Sequence, residues 1–301
     1  MSPMPSRRAL LAGTAALALA PRARAGDDAP LRIGSFTVKR LQDGLFPLEP
    51  RMIPGAESEE GRVLLARAGL PPAGPSAEPV NAFLVRQQDR AWLLDAGCGT
   101  VFGPGFDRVA GALATEGIDP ARIEAVWLTH LHADHAGGLL TPEGRARFPA
   151  AELVLQEAEA AYWGDPASRA RAPAEMALFF DTAQAVLAAY ADRLRRVRGE
   201  AVLAPGAAFL PLPGHTPGHA GVTLEDGTDR LLIWGDVVHS RILQFPHPDW
   251  TVIWDADKAQ AEATRRGIFD RAAAEGLTVA GMHLAARGRV ERRGGGYAFT
   301  V

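Results

Sequence analysis

The order of apolar and polar residues predicts a chain in which β-strands and α-helices alternate. Short apolar or alternating runs bounded by glycine and polar turns are typical of strands. They occur at residues 31–38, near Leu45, and at 82–85, 91–94, 123–128, 151–156, 208–212, 220–224, 230–234, 278–281, 289–291 and 297–301. Apolar residues at helical spacing predict helices at 59–68, 107–116, 157–163, 174–195 and 258–275. Two halves, each with strands followed by helices, predict two sheets packed together with helices outside.

The charge balance argues against a nucleic-acid partner. The 301 residues carry 32 Lys and Arg against 35 Asp and Glu, a formal net charge of −3. Proteins that bind nucleic acid by neutralising phosphates usually carry a basic excess. Cys98 is the only cysteine, so no intramolecular disulfide can form.

Residues 1–25 differ in composition from the rest and predict a cleavable export signal. Arg7 and Arg8 precede an uncharged run at residues 9–20, and Ala23-Arg24-Ala25 is a small-x-small cleavage site. Twelve helical residues rise about 18 Å, too short for a hydrocarbon core of about 30 Å, so no stable membrane insertion is expected. The paired arginines resemble a twin-arginine signal, which implies export to the periplasm. Cleavage would leave residues 26–301 with a net charge of −7.

The segment from His130 to His135 is the strongest candidate for chemistry. His130, His132, Asp134 and His135 are four potential metal ligands within six positions, directly after an apolar run. Side chains at i and i+2 of an extended segment point the same way, so the first two histidines can bind one ion together. The other two follow as the chain turns and can reach a second ion, and glycines at 137–138 allow close backbone approach. A loop of solvated histidines is the alternative, which three of the chain's eight histidines in one short segment disfavour.

The segment His130-Leu131-His132-Ala133-Asp134-His135 resembles the HxHxDH signature of the metallo-β-lactamase superfamily. That family's other motifs occur in the expected order, as Asp95-Ala96-Gly97, Gly214-His215-Thr216-Pro217-Gly218-His219, Gly235-Asp236 and Gly281-Met282-His283. The resemblance covers nearly all of residues 31–301. It implies a single α/β catalytic domain over 26–301, a four-layer αββα sandwich of two mixed β-sheets flanked by helices, with a helical insertion at about 157–195.

The resemblance also implies two divalent metal ions. It assigns His130, His132 and His215 to one ion, Asp134, His135 and His283 to the other, and Asp236 to a bridge between them. Asp95 would orient the ligands, and His219 is a weaker candidate for the same role. Imidazole and carboxylate ligands suit zinc, which is the expected metal. Two such ions can share a hydroxide as nucleophile, with Asp134 and Asp236 as the catalytic carboxylates.

Three features favour hydrolysis of small apolar lactones, aryl esters or phosphotriesters. His132 stands where oxygen-reducing relatives carry a carboxylate, and Asp236 is a bridging carboxylate that true β-lactamases generally lack. Residues 234–248 and 255–257 resemble the methyl parathion hydrolase branch, which is close to N-acyl homoserine lactonases. After His283 the chain departs from that branch, because residues 284–288 replace a Pro/aromatic-rich loop. A lactonase or arylesterase is therefore favoured over an organophosphate hydrolase.

A mononuclear iron persulfide dioxygenase, or a thioester hydrolase of the glyoxalase II type, is the alternative function. Those relatives would not need Asp236 together with a full second ligand set. The expected partner is a small-molecule substrate, and a homodimer stays open.

An aromatic substrate pocket is implied by the same resemblance. The matching positions are Phe102, Trp163, Phe179 and Phe180, although aromatic residues on alanine-rich helices usually pack in the core. His239 and His247 follow Asp236 and are weaker site candidates.

Overall fold

The computed structural model describes residues 29–301, and the predicted export signal at residues 1–25 lies outside them. The described residues form fourteen β-strands and eight α-helices. The strands are β1 (Leu31–Ile33), β2 (Phe36–Leu48), β3 (Ser76–Gln87), β4 (Arg90–Leu94), β5 (Ala125–Trp127), β6 (Glu152–Gln156), β7 (Leu194–Val197), β8 (Val202–Ala204), β9 (Ala207–Pro211), β10 (Ala220–Asp226), β11 (Asp229–Ile233), β12 (Thr278–Ala280), β13 (Gly288–Arg293) and β14 (Gly296–Thr300).

The α-helices are α1 (Glu59–Arg67), α2 (Val109–Thr115), α3 (Ala133–Ala136), α4 (Glu157–Gly164), α5 (Pro166–Arg171), α6 (Ala177–Ala189), α7 (Arg241–Gln244) and α8 (Lys258–Glu275). Short 3-10 helices lie at Pro50–Met52, Pro54–Glu57, Pro120–Arg122, Gly137–Leu139, Ala174–Met176 and Ala191–Arg193. Within residues 29–301, no helix combines the length and the apolar character that crossing a bilayer requires.

The strands form two mixed sheets of seven strands each. The first has the order β1-β2-β3-β4-β5-β6-β7, and the second has the order β14-β13-β12-β11-β10-β9-β8. In the first sheet β4, β5, β6 and β7 run parallel to one another, while β3 pairs antiparallel with β4. In the second sheet only β11 and β12 are parallel among the described pairs. Parallel neighbours need crossover connections. The helices supply them, with α2 between β4 and β5, α4 to α6 between β6 and β7, and α8 between β11 and β12.

The described chain divides into two compact units. The first comprises Arg40–Gly44 and Val80–Arg198, and the second comprises residues 29–39, Leu45–Pro79 and Gly199–Val301. We call them unit 1 and unit 2. The prediction that residues 26–301 form one catalytic domain stays a prediction.

Each unit has its own apolar core. In unit 1, Leu93, Val126 and Leu153 of neighbouring parallel strands pack with Leu113 of α2 and Val186 of α6. In unit 2, one cluster joins strand and helix residues, among them Trp234, Phe245, Phe269, Val279 and Phe299. A second cluster of unit 2 joins Met52, Ile53, Leu65 and Val252. These cores hold the strand ends that carry the candidate ligands.

The helix predicted at 174–195 is wrong at its C-terminal end. α6 ends at Ala189, a 3-10 helix covers Ala191–Arg193, and Leu194–Val197 is strand β7. Leu194 pairs with Leu153 at the open edge of β6, and this pairing outweighs the local helical pattern. Tyr190 anchors the end of the helix, because its hydroxyl accepts from the Phe148 amide (3.2 Å) and donates to the Leu139 carbonyl (3.1 Å).

The strand predicted at 31–38 is two strands. Gly34 has φ +52°, which breaks the extended run between β1 and β2. The Asp226 carboxylate accepts from the Ser35 amide at 2.8 Å and from the Ser35 hydroxyl at 2.6 Å, so it holds the turn in place. The alternation of apolar residues continues through the turn, which hides the break in the sequence.

Candidate metal centre

In unit 1 the candidate ligands follow two neighbouring parallel strands. Asp95 follows β4, and Thr129 and His130 follow β5, whose last residue Trp127 pairs with Leu94. The carboxyl ends of parallel neighbours lie side by side at one sheet edge, where α/β proteins commonly place their sites. The sheet therefore brings Asp95 beside the loop that carries the histidines.

The Asp95 carboxylate organises that loop. It accepts from the Thr129 amide (2.8 Å), from the Thr129 hydroxyl (2.7 Å) and from His135 Nδ1 (2.7 Å). Burial raises the pKa of Asp95, and the hydrogen bond and charge of His135 oppose that shift. The Thr129 hydroxyl proton points to Asp95, so the same oxygen can accept from His130 Nδ1 at 3.0 Å. Both histidines then carry their proton on Nδ1, which leaves the Nε2 lone pair for a metal.

The histidine loop turns into a helix where the sequence predicted a turn. His132 is extended (φ −63°, ψ 150°) and is the N-cap of α3, so Asp134 and His135 lie in the first helical turn. The ring centroid of His130 lies 4.6 Å from that of His132 and 4.1 Å from that of His135. Asp134 Oδ2 lies 3.4 Å from His135 Nε2. Unit 1 thus gathers all four predicted ligands of the HxHxDH segment.

The glycines at 137 and 138 are required by close backbone contact. A Cβ on Gly137 would collide with the Cys98 carbonyl oxygen, and a Cβ on Gly138 would collide with the Ala96 carbonyl oxygen. The Gly138 amide donates to the Gly97 carbonyl at 2.9 Å. The predicted close approach is confirmed, and it joins the Asp95 loop to the end of α3.

In unit 2 the candidate ligands follow the parallel pair β11 and β12. Asp236 lies three residues after β11, and His283 lies three residues after β12. Asp236 Oδ2 lies 3.1 Å from His283 Nε2, 3.5 Å from His215 Nε2 and 3.1 Å from His239 Nε2. Three imidazoles therefore converge on one carboxylate oxygen in unit 2.

The far nitrogens of two of these imidazoles are bound to oxygen acceptors. His215 Nδ1 lies 2.7 Å from Asp255 Oδ1, and His283 Nδ1 lies 2.8 Å from the Pro79 carbonyl. Those acceptors require the proton on Nδ1, so each Nε2 turns a lone pair toward Asp236. An Nε2 lone pair and the Asp236 Oδ2 atom are both acceptors, and at 3.1–3.5 Å they repel each other unless a cation lies between them. The buried nitrogen and oxygen donors therefore fit a divalent ion of the zinc type.

Asp255 is a site residue that the sequence analysis did not assign. Its Oδ2 accepts from the Val252 amide at 3.0 Å and lies 3.7 Å from the buried guanidinium of Arg265. Burial would raise the pKa of Asp255, but the hydrogen bond and charge of His215 and the charge of Arg265 lower it to about 2. Asp255 is forty positions from His215, so no local motif links the two residues.

The remaining histidines of unit 2 have distinct places. His219 Nε2 accepts from the Asp236 amide at 2.9 Å, and its Nδ1 donates to the Leu212 carbonyl at 2.7 Å, so it supports the backbone behind Asp236. Burial lowers the pKa of His239 to about 4 despite the opposing charge of Asp236, which keeps the ring neutral. His247 stacks on Trp250 instead, with 4.1 Å between ring centroids.

The four aromatic residues predicted to line a substrate pocket in unit 1 differ in their packing partners. The rings of Trp163 and Phe179 pack on His132, with centroids at 5.4 and 5.0 Å. Phe180 is fully buried against Trp163 and packs in the core, as the alternative interpretation held. Phe102 contacts Phe106 at 6.1 Å. The assignment of these four residues to a substrate pocket stays a prediction.

Cys98 packs in the interior of unit 1. It is fully buried, and burial together with the charges of Asp134 and Asp43 raises the pKa of its thiol well above the ordinary value. A neutral buried thiol is a poor nucleophile.

Comparison with known proteins identifies the family. A sequence model of the metallo-beta-lactamase superfamily matches residues 75–280. The chain belongs to this superfamily. The predicted family and its fold are therefore confirmed, with two mixed seven-stranded sheets and flanking helices.

Solved structures of metallo-β-lactamase-fold hydrolases are similar over most of the chain. The dizinc quorum-quenching lactonase AidC has a TM-score of 0.83 and 24% identity, covering 90% of this chain and 96% of that chain. The hydrolase AbOPH has a TM-score of 0.80 and 28% identity, covering 90% of this chain and 95% of that chain. These neighbours are consistent with the predicted lactonase-like branch and support a metal-dependent hydrolase.

One curated protein matches over a shorter stretch. The acyl-coenzyme A thioesterase MBLAC2 of Gallus gallus is 39% identical over 87 residues, which are 29% of this chain and 28% of that protein. The match thus spans less than a third of the thioesterase.

Proposed function

We propose that the protein is a dinuclear metal hydrolase of small apolar lactones or aryl esters. The observation that carries the proposal is that each unit gathers imidazole and carboxylate donors of the kind that hold such ions. They are His130, His132, Asp134 and His135 in unit 1, and His215, Asp236 and His283 in unit 2. When bound, two divalent ions would supply a hydroxide nucleophile at neutral pH and polarise the substrate's acyl oxygen.

Other residues of this chain would orient the ligands and contact the substrate. Asp95 and Asp255 hold the Nδ1 protons of His135 and His215, so the Nε2 atoms are fixed toward the ions. Phe179 is partly exposed and offers apolar ring surface beside His132 to an acyl chain or aryl group, while Trp163 is buried and packs on the same imidazole. That apolar surface supports lactones and aryl esters, and phosphotriesters are retained as a further substrate class of the same chemistry.

Zinc is the metal we propose. The two groups contain imidazole and carboxylate donors and no thiolate, a set that borderline divalent ions accept. The similarity to a dizinc lactonase supports the same choice.

Thioester hydrolysis is the second candidate, favoured by the partial match to an acyl-coenzyme A thioesterase. The iron-dependent persulfide dioxygenase is the remaining alternative, and a single redox-active iron would support it. We also propose that the twin-arginine-type segment exports the protein to the periplasm. A fusion of residues 1–25 to a reporter, with Arg7→Lys and Arg8→Lys as the control, tests that location.

Metal analysis and a substrate panel test the proposed reaction. The purified protein is assayed for zinc and iron, then with N-acyl homoserine lactones, aryl esters, phosphotriesters and acyl thioesters. We expect about two zinc-type ions per chain and the highest kcat/KM on a lactone or aryl ester. One iron per chain, or turnover confined to persulfides, would overturn the proposal.

A further inference from the structure

Glu159 is a fully buried carboxylate in the helical insertion of unit 1. It lies in the first turn of α4 and has 0% of its surface exposed. Burying a charged carboxylate is costly unless hydrogen-bond donors compensate. The burial of the Glu159 carboxylate is therefore tolerable only if hydrogen-bond donors contact it.

The donors that meet Glu159 belong to the candidate metal centre and to its aromatic wall. Glu159 Oε1 accepts from the Leu131 amide at 2.9 Å and from the Trp163 indole nitrogen at 2.6 Å. Leu131 stands between the ligands His130 and His132. One carboxylate oxygen thus holds both the backbone of the ligand loop and an aromatic side chain one helical turn away.

The second contact reaches a ligand through its ring. Trp163 is 1% exposed and packs edge-on against His132, with 5.4 Å between the ring centroids. Fixing the indole nitrogen fixes the tilt of this ring, so Glu159 acts on the ligand loop through the Leu131 amide and on the His132 side chain through the Trp163 ring. A displacement of Glu159 Oε1 would therefore change both its contact with the Leu131 amide and its contact with the Trp163 indole.

We propose that Glu159 is a positioning residue that sets the geometry of His130 and His132 for metal binding, through the Leu131 amide and through the Trp163 ring. The inference rests on the proposed function, because it assumes that these histidines hold an ion. Glu159 touches neither substrate nor metal in this role. It couples the helical insertion to the ligand loop.

The length of the glutamate side chain provides the test. Glu159→Asp keeps the charge but withdraws the carboxylate by about 1.5 Å, one carbon–carbon bond. Glu159→Gln keeps the reach and one acceptor oxygen while losing the charge. If the position of the acceptor oxygen matters, the aspartate variant loses metal affinity and the glutamine variant keeps the metal affinity of the wild type.

The readouts are metal affinity, measured by competition with a chelator, and the visible absorption spectrum of the cobalt-substituted protein. We expect Glu159→Asp to weaken metal binding about 10-fold and to shift the cobalt spectrum, at the lower end of what partners of metal ligands contribute. We expect Glu159→Gln to stay within about twofold of wild type, because its amide oxygen still reaches both donors. Trp163→Phe removes the indole donor together with part of the ring, so it breaks only the second contact of Glu159, and it should weaken metal binding less than Glu159→Asp does.

Val186→Ala is the matched control for lost stability, since Val186 is buried in α6 of the same core. It should lower Tm without moving the cobalt spectrum. An aspartate variant with wild-type metal affinity and cobalt spectrum would overturn the inference while leaving the proposed function intact. A wild-type protein that binds no divalent ion would overturn both.

Discussion

Replacing Asp255 by asparagine tests whether the ligand geometry of unit 2 is held from behind. The carboxylate accepts from His215 Nδ1 through one oxygen and from the Val252 amide through the other. An asparagine has one acceptor oxygen and one amide group, so one of these two donors would face another donor. The variant also removes the negative charge that faces Arg265 at 3.7 Å.

The expected loss follows from these contacts. A hydrogen bond to a charged group contributes about 1.5–3 kcal/mol, and leaving a buried donor unsatisfied costs about 1–3 kcal/mol. Both figures describe the same lost contact, so we expect the free energy of unfolding to fall by about 1.5–3 kcal/mol. Loss of the carboxylate behind a metal-ligating histidine should weaken metal binding about 10- to 100-fold.

Two measurements separate these effects, namely chelator competition for metal affinity and denaturant unfolding of the metal-free protein. Asp257→Asn is the matched control, because Asp257 is an exposed residue two positions away whose carboxylate caps α8 by accepting from the Gln260 amide. Asparagine caps helices about as well as aspartate, so the control should behave as wild type. Wild-type metal affinity in Asp255→Asn would refute the reasoning, since His215 would then be oriented without its partner.

Three further variants test other parts of the centre. His132→Ala and Asp236→Ala should each abolish lactone and aryl-ester turnover and lower the metal content, measured by steady-state assay and metal analysis; full turnover in either contradicts a dinuclear mechanism. Trp163→Ala should change the relative kcat/KM across acyl-chain lengths more than it changes metal content, and an unaltered profile would remove Trp163 from the pocket. Gly138→Ala should lower unfolding free energy by about 1–3 kcal/mol through overpacking against the Ala96 carbonyl, measured by chemical denaturation; a stability equal to wild type would show that the backbone there can yield.

The candidate ligands could be singled out from the sequence because they are local. His130, His132, Asp134 and His135 fall within six positions of one apolar run, and that spacing is a chemical signature before any fold is known. Strand β5 was also predictable from the short apolar run at 123–128, although its parallel pairing was not. The family, once recognised from the motifs, supplied the fold that the comparisons confirm.

The partners of the ligands were not predictable, because they are remote in sequence. Asp255 lies forty positions from His215, and Glu159 lies 28 positions from Leu131. Asp255 lies in the stretch 255–257 that resembles a branch of the superfamily, but that resemblance gives it no partner. Glu159 carries no motif signal, and an isolated acid in a sequence usually lies in solvent. Strand β7 was missed for a related reason, as its assignment depends on a free edge of β6 that only the folded sheet provides.

Three buried carboxylates therefore have a common physical role in this protein. Asp95, Asp255 and Glu159 are each almost or fully inaccessible to solvent, and each accepts from an imidazole or a backbone amide of a ligand segment. A buried carboxylate is tolerable only where its donors are held in place, so the same contacts that compensate its burial also restrain the ligands. The imidazole orientations are consequently set by the protein within each unit. This favours a centre whose ligand directions are fixed by folding, and it explains why changes behind the ligands should act on metal affinity as strongly as on stability.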